Sequence, residues 1–414
     1  MTIMQKTANG IKSIVSLEKS MSQVQASWRF FNNEIVDIKV ENEPIVVTGA
    51  EEIKEQCKEY CLVAHDWSQI DYKHHLDKEE LWEKKEKRKI IGYELQSSLA
   101  ISDKTGEPIS PLAQNLKTSK EVYSTYSDEI GYNESHLEEL GNRIRWIQSL
   151  NLGKKIVNIV DREGDSVGFL RDIKDELFLI RVRNQPTLHW LEKDIRLNGK
   201  KLSQALEYKK IKTIKNKKKN LTLEGCEVDI EVRRKQSIDR KINGERVQKR
   251  IEGEPIKARF IAVKLLNEEG KVLSTWLLLS NVDKKVSLET LVTWYYYRWN
   301  IENYFKLLKS GGHHLESWRQ ETPKAIFRRL IVVAYACTLV WKLAHSKDEK
   351  AIEIRELLTQ ISGRQMSYGV DFTYPALFAG FWTLLTMFDL FELYDYDTLL
   401  EMKSFLKEFF AGVV

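Results

Sequence analysis

The residues best placed to do chemistry lie between Tyr295 and Lys309, in the segment YYYRWNIENYFKLLK. On an ideal helix, at about 100° per residue, Arg298, Glu302 and Lys309 all fall within roughly 60° of Tyr295. A Tyr, an Arg, a carboxylate and a Lys then share one stripe. That mixture makes a poor core face. It suits a site holding a metal ion and a phosphate, with Glu302 as ligand and Arg298 and Lys309 on phosphate oxygens. The ordinary alternative is a helix with a routine i,i+4 ion pair between Arg298 and Glu302.

Two further carboxylates stand out. Asp161 directly follows the apolar run KIVNIV, and the C-terminal end of a strand is where open α/β sheets place their chemistry. The alternative is a plain strand-to-helix turn, and in either case Asp165 is expected to cap the next helix. Asp66 lies inside LVAHDWS, where a charge is costly unless paired or metal-bound. A turn Asp at a strand end is the other option, and Asp71 competes for the role. Three carboxylates from distant positions can hold two Mg²⁺ ions, a constellation suited to phosphodiester chemistry. Cys57, Cys61 and His65, followed by His74 and His75, fit no common zinc spacing and read better as ordinary thiols leading into the Asp66 strand. His313 and His314 fall in a polar turn after Gly311 and Gly312 or touch DNA.

The elements that must position these groups follow from periodicity. Strands are predicted over 60–67, 88–102 and 176–183, with a buried strand at 155–161. A weaker strand at 109–116 is confined to an edge or a strand start by Pro108 and Pro111. Helices are predicted over 136–151 and from Asp165, and residues 11–35 read as a helix ending with Trp28, Phe30 and Phe31 on its apolar side. Residues 185–285 change to β-type alternation, as in VDIEVR and KARFIAVKLL, with turns at Asn243-Gly244 and Glu269-Gly270. A helix resumes over 287–310, and beyond Pro323 the chain reads helical, broken near Gly363 and Pro375. The outline is an α/β core with a β-rich insertion and a helical C-terminal region.

Composition bounds the function. With 414 residues, 42% of them hydrophobic, 11 Trp and only 7 Pro, the chain can build real cores and is not disordered. Four Cys exclude a disulfide scaffold and point to a reducing, cytosolic setting. No apolar stretch near the N-terminus reads as a signal peptide, and the run Leu330–Trp341 is too short to span a bilayer, so no membrane partner is expected. The formal charge of +5 is unevenly spread. Residues 185–275 hold 23 Lys and Arg against 13 Asp and Glu, whereas 345–414 hold 6 against 11. The run KKIKTIKNKKK, at 209–219, and the cations at 233–241 carry the phosphate-binding footprint, or else form a solvated loop. Lys84–Lys89 is a second basic segment able to meet a DNA backbone.

The sequence resembles the cut-and-paste transposases of bacterial insertion sequences, in the insertion-sequence-four (transposon-five-like) family. Tyr295, Arg298, Glu302 and Lys309 match the spacing of its Tyr-x2-Arg-x3-Glu-x6-Lys signature. Asp161–Asp165 corresponds to its Asp-Arg-Glu-Ala-Asp block, with Gly164 in place of the usual Ala. The segment Trp276–Ser280 looks like the stretch whose Trp stacks on a flipped base. Ala26–Asn33, with Trp28-Arg29-Phe30-Phe31, resembles the motif that closes the family's end-binding domain.

The resemblance implies an RNase H-like mixed-sheet core with a catalytic triad of Asp66, Asp161 and Glu302, all metal ligands. It implies two Mg²⁺ ions, with Mn²⁺ able to substitute, and DNA contacts from Tyr295, Arg298, Lys306, Lys309, Trp276 and Arg162. The implied activity is cleavage at transposon ends through a hairpin intermediate, then strand transfer into target DNA. Partners are double-stranded DNA, both terminal repeats and target, and a second copy of the chain, in the bacterial cytoplasm at the nucleoid. The expected domains are 1–45, the shortened remnant of a helical end-binding domain; 46–184, the first part of the core; and 185–285, the basic β-rich insertion. Residues 286–320 complete the core with the signature helix, and 321–414 form a helical dimerisation region. Two other readings stand beside this one: a form that dimerises without binding ends, as an inhibitor or relic, and an RNase H-like nuclease that does not transpose.

Overall fold

The computed structural model describes residues 18–85, 89–216, 219–242 and 245–411. The Asn243-Gly244 turn, Lys217 and Lys218 of the lysine run, and residues 86–88 of the second basic segment lie outside the described residues. The chain divides into two units.

The larger unit comprises Asn42–Lys73 and Glu80–Tyr304. Its first strands are β1 (Tyr60–Asp71), β2 (Trp82–Lys85), β3 (Lys89–Ser102), β4 (Pro108–Lys117), β5 (Val122–Ser124), β6 (Lys155–Val160) and β7 (Leu177–Arg181). The β-rich stretch supplies β8 (Thr187–Trp190), β9 (Ile195–Asn198), β10 (Lys209–Asn216), β11 (Lys219–Val232), β12 (Gln236–Ile242), β13 (Glu245–Ile251), β14 (Ile256–Leu266) and β15 (Val272–Ser280). One mixed sheet runs in the order β5-β4-β3-β1-β6-β7-β15-β14-β11-β8-β9, while β12 and β13 form a separate hairpin. β1, β6 and β7 are parallel to one another, and the remaining pairs of that path are antiparallel. The basic stretch is therefore hydrogen-bonded into the same sheet, through β15 on β7.

Local chemistry explains these elements. The apolar run of β6 has parallel neighbours on both edges and is buried from Ile156 to Val160, as a strand covered on both faces must be. In β4, Asn115–Lys117 pair with β5, whereas the part holding Pro108 and Pro111 pairs only with β3 and carries two register shifts. The missing N–H groups of proline are tolerated there. The helix α3 (His136–Ser149, after α1, Glu18–Asn32, and α2, Ile38–Gln56) opens on a capping box made by Ser135 and Glu138. Its Leu140 and Ile144 pack on Val160, Phe178 and Ile180, and its Ile147 packs with Ile53, Val63 and Leu112.

α4 (Val167–Asp172) and α5 (Gly199–Gln204) are short. α6 (Leu288–Tyr297) begins at the Ser287 cap and ends at Arg298, and α7 (Trp299–Lys306) continues the signature segment. The single helix predicted over 287–310 is thus interrupted at Arg298 and closes in a π turn over Leu307–Gly311.

The second unit holds the segment before Asn42, His74–Glu79 and the chain from Phe305 onward. Its helices are α8 (Pro323–His345), α9 (Glu349–Ile361), α10 (Tyr374–Leu393) and α11 (Tyr396–Ala411). Pro323 and Pro375 sit in first turns, where a missing N–H costs nothing. α1 packs on α8, where Arg328 donates to the carbonyls of Phe31, at 2.9 Å, and Val36, at 3.1 Å. Of the three aromatics expected to form the apolar side of α1, only Phe31 is buried, at 1% exposure, and Trp28 is 60% exposed. The helix rests on one aromatic because the Arg328 contacts fix its end there. α10 is long and apolar enough to cross a membrane by length and composition, whereas Leu330–Trp341, the run too short to span a bilayer, lies within α8. In this unit α10 packs on α8 and α9 through Ala376, Leu377, Phe378 and Gly380.

Candidate active site

Strand register brings the two aspartates together. β1 and β6 are parallel and their pairing ends at His65 opposite Val160. Asp66 and Asp161 are the next residues on these neighbouring strands. Asp66 continues within β1, opposite Ser97 of β3, and Asp161 opens a three-residue 3-10 turn. A cleft of about 460 Å³ opens beside them, walled by Trp67, Arg162, Glu163 and Arg183. Arg162 is exposed on this wall.

The strand below is held by a neutral histidine. His65 is buried, with Nδ1 2.8 Å from Ser98 Oγ and Nε2 3.0 Å from Asn158 Oδ1. Asn158 donates its amide to the Leu177 carbonyl, so its oxygen accepts from Nε2–H, and Nδ1 accepts the serine proton. Burial, with Arg143 nearby, lowers the His65 pKa to about 3. A ring committed on both nitrogens is not a zinc ligand, and Cys57, Cys61 and His65 form no metal-holding group.

Arg298 joins the carboxylates. One guanidinium nitrogen lies 2.8 Å from Asp66, and the other lies 2.8 Å from Glu302 and 3.9 Å from Asp161. The i,i+4 ion pair is present, but it forms one arm of a larger cluster. The arginine is buried. Arg298 falls at the interruption between α6 and α7, donating its N–H to Tyr295 O. Burial raises the Asp66 pKa, opposed by the Arg298 charge. Tyr295 is buried, its hydroxyl 3.3 Å from Asp161 Oδ1, and burial followed by the Asp161 charge raises its pKa to about 12. It therefore stays a neutral donor to that carboxylate. Trp276, on β15, lies against Tyr295 with ring centroids 5.8 Å apart.

Lys306 ends α7, and Lys309 lies in the π turn, 3.5 Å from Glu316. Asp165 does not cap a helix, because Ser166 occupies that position before α4. Its buried carboxylate instead accepts from the Arg183 N–H, at 2.8 Å, and from Arg234, at 3.0 Å. The Arg234 guanidinium and the Arg183 backbone N–H take the place of the helix end as its partners. Arg181, 3.5 Å from Asp161, escaped the sequence reading. Its signal was present as the last residue of β7, beside the strand that delivers Asp161.

The donor set fits a divalent metal in part. Three carboxylates converge, and oxygen-only ligands suit Mg²⁺ or Mn²⁺. Among the described residues, however, no group of three His, Cys, Asp or Glu is arranged to hold an ion as it stands. The reason is Arg298, whose guanidinium occupies the space between Asp66 and Glu302.

The mixed α/β fold with its helical C-terminal region thus carries a cluster of two carboxylates from neighbouring parallel strands and one from a helix. Residues 136–339 match the family model of the transposase DDE domain. This chain carries a DDE-type transposase domain, a polynucleotidyl transferase and nuclease acting in DNA transposition and recombination. Enzymes of this kind bind DNA and generally use divalent metals. The match spans Asp161 and Glu302 and begins downstream of Asp66. Comparison with curated proteins finds no match.

Proposed function

We propose that this chain is a cut-and-paste transposase of the insertion-sequence-four family, with an RNase H-like core, that cleaves transposon ends and joins them to target DNA. The observation that carries this reading is the convergence of Asp66, Asp161 and Glu302 on one guanidinium beside a polar cleft. The three carboxylates are the ligands for two Mg²⁺ ions, or Mn²⁺ in their place. When bound, such ions supply an activated oxygen nucleophile and stabilise the leaving oxygen of a phosphodiester.

The protein's own residues do the rest. Among the described residues, Arg298 alone pairs with all three carboxylates, and a DNA phosphate offers it a competing bidentate partner. Moving to the phosphate, it leaves the carboxylates free for metal. Tyr295 orients Asp161 by donating to it. Trp276, in tilted ring contact with Tyr295, is the residue that would hold a base flipped out of the hairpin. Arg162, Lys306 and Lys309 contact the DNA backbone. The helices α10 and α11 join two copies, so that one protomer cuts the end its partner binds.

Glu302→Ala tests the triad. Mg²⁺-dependent cleavage of end-containing DNA should fall to background while non-specific DNA binding persists; retained cleavage would sink the assignment. Strand transfer of a pre-cut end separates a transposase from a nuclease. A gel shift on terminal repeats against scrambled DNA separates an end-binding enzyme from a dimerising inhibitor.

A further inference from the structure

His136 is the first residue of α3, and its ring reaches the end of the sheet where the aspartates lie. Its Nε2 is 2.8 Å from Glu94 Oε1 on β3, and its Nδ1 is 3.2 Å from Glu163 Oε1 in the turn after Asp161. The imidazole also packs on the Trp67 indole, with ring centroids 4.8 Å apart. Trp67 follows Asp66, and Glu163 stands two residues after Asp161. One ring therefore touches near neighbours of both aspartates.

The anchor is firm. Glu94 is fully buried and accepts from Gln69, at 2.8 Å, and Gln96, at 3.1 Å, as well as from His136. A carboxylate buried this deeply keeps its charge at lower cost beside a cationic, hydrogen-bonding partner. Facing a carboxylate on each nitrogen, His136 holds its proton, with a pKa raised to about 9 by Glu163 and Glu94. The imidazolium donates from both nitrogens and so spans the two carboxylates. Asp161, at the start of that turn, makes no side-chain capping bond of its own.

We propose that His136 is a positioning residue for metal loading, clamping the Asp161 turn, through Glu163, onto the buried Glu94 of β3. The inference rests on the reading of Asp161 as a metal ligand. Groups that orient a ligand from behind set its affinity for the ion, and their loss typically costs about 10- to 100-fold.

The test is Mn²⁺ binding, followed by electron paramagnetic resonance, to the full chain in complex with end-containing DNA. Glu163→Gln removes the charged half of the tie, leaving only a neutral acceptor for the imidazolium, and keeps the buried Glu94–His136 pair in place, so the fold survives it. Mn²⁺ affinity should fall about tenfold in Glu163→Gln, in His136→Gln and, without further loss, in the double variant. Thermal melting of each variant reports whether it is folded. Unchanged affinity in Glu163→Gln, or additive losses in the double variant, overturns the proposal. Asp161→Asn is measured alongside. Unchanged Mn²⁺ binding there overturns the ligand reading and this proposal with it, whereas loss there beside a normal Glu163→Gln overturns the clamp alone.

Discussion

Arg298 concentrates the electrostatics of the site. Three carboxylates this close repel one another, and the buried guanidinium offsets that repulsion through contacts of 2.8, 2.8 and 3.9 Å. It also competes with any cation that would use the same oxygens. Arg298→Gln should therefore tighten Mn²⁺ binding to the DNA-free protein by about tenfold, or ~1.4 kcal/mol, while slowing cleavage. Metal titration by paramagnetic resonance checks this, and weaker binding would contradict the competition. A second residue-scale consequence concerns Glu41, in the first turn of α2, whose pKa burial raises to about 8 against the pull of Arg328. A carboxyl with a raised folded pKa takes up its proton on folding. Its penalty is absent below about 4.5, grows as pH rises, and is complete above about 8. Glu41→Gln should raise Tm at pH 8.5 and leave it nearly unchanged at pH 4.5. His136 adds to the same trend at higher pH: its folded pKa is raised, so its contribution is full below about 6.5 and lost as pH passes about 9.

At the scale of elements, α6 and α7 must dock where their side chains reach β1 and β6. The turn between β3 and β4 receives them. Gly106 there has φ +77°, and a Cβ would stand 2.3 Å from the Tyr297 ring. Its carbonyl accepts the Asn300 amide at 2.7 Å, and the Trp294 indole donates to Asp103 O at 3.1 Å. Gly106→Ala meets both a strained backbone and a ring in its way, and should cost about 1–3 kcal/mol. Chemical denaturation reads the loss, and cleavage should fall with it, because Arg298 rides on the displaced segment. A fully stable Gly106→Ala would show that the turn does not set the docking. In the helical unit, a Cβ on Gly380 would lie 2.0 Å from the Leu358 carbonyl, so α9 and α10 cross backbone to backbone.

For the whole molecule, the helical unit carries an apolar surface that its own packing leaves open. α11 buries no residue, and Phe405, Phe409 and Phe410 are 64%, 59% and 62% exposed. Met387, Phe388 and Phe391 of α10 are exposed as well. Large apolar side chains left exposed in such numbers mark association surfaces. The expectation is that these helices join two copies of the chain and that Phe405→Glu with Phe409→Glu yields a monomer by analytical ultracentrifugation. Cleavage of a single end in trans should be lost with the dimer. An unaltered dimer would place the contact elsewhere.

Most of the elements and the candidate chemistry were legible in the order of the residues alone. Periodicity marked β1, β3, β6 and α3, because each buries one face or both and its apolar spacing records that burial. The spacing of Tyr295, Arg298 and Glu302 put three candidate side chains on one stripe, and the position of Asp161 after a buried strand marked a sheet end. Tertiary structure decided what those groups do to one another. Register alone placed Asp66 beside Asp161, because strand pairing is a long-range choice that no local pattern encodes. The break at Arg298, the transfer of Asp165 from a helix cap to Arg234, and the clamp of His136 on Glu94 and Glu163 arise likewise. Each is settled by charges brought together from separate segments, whose mutual attraction exists only once the sheet has closed.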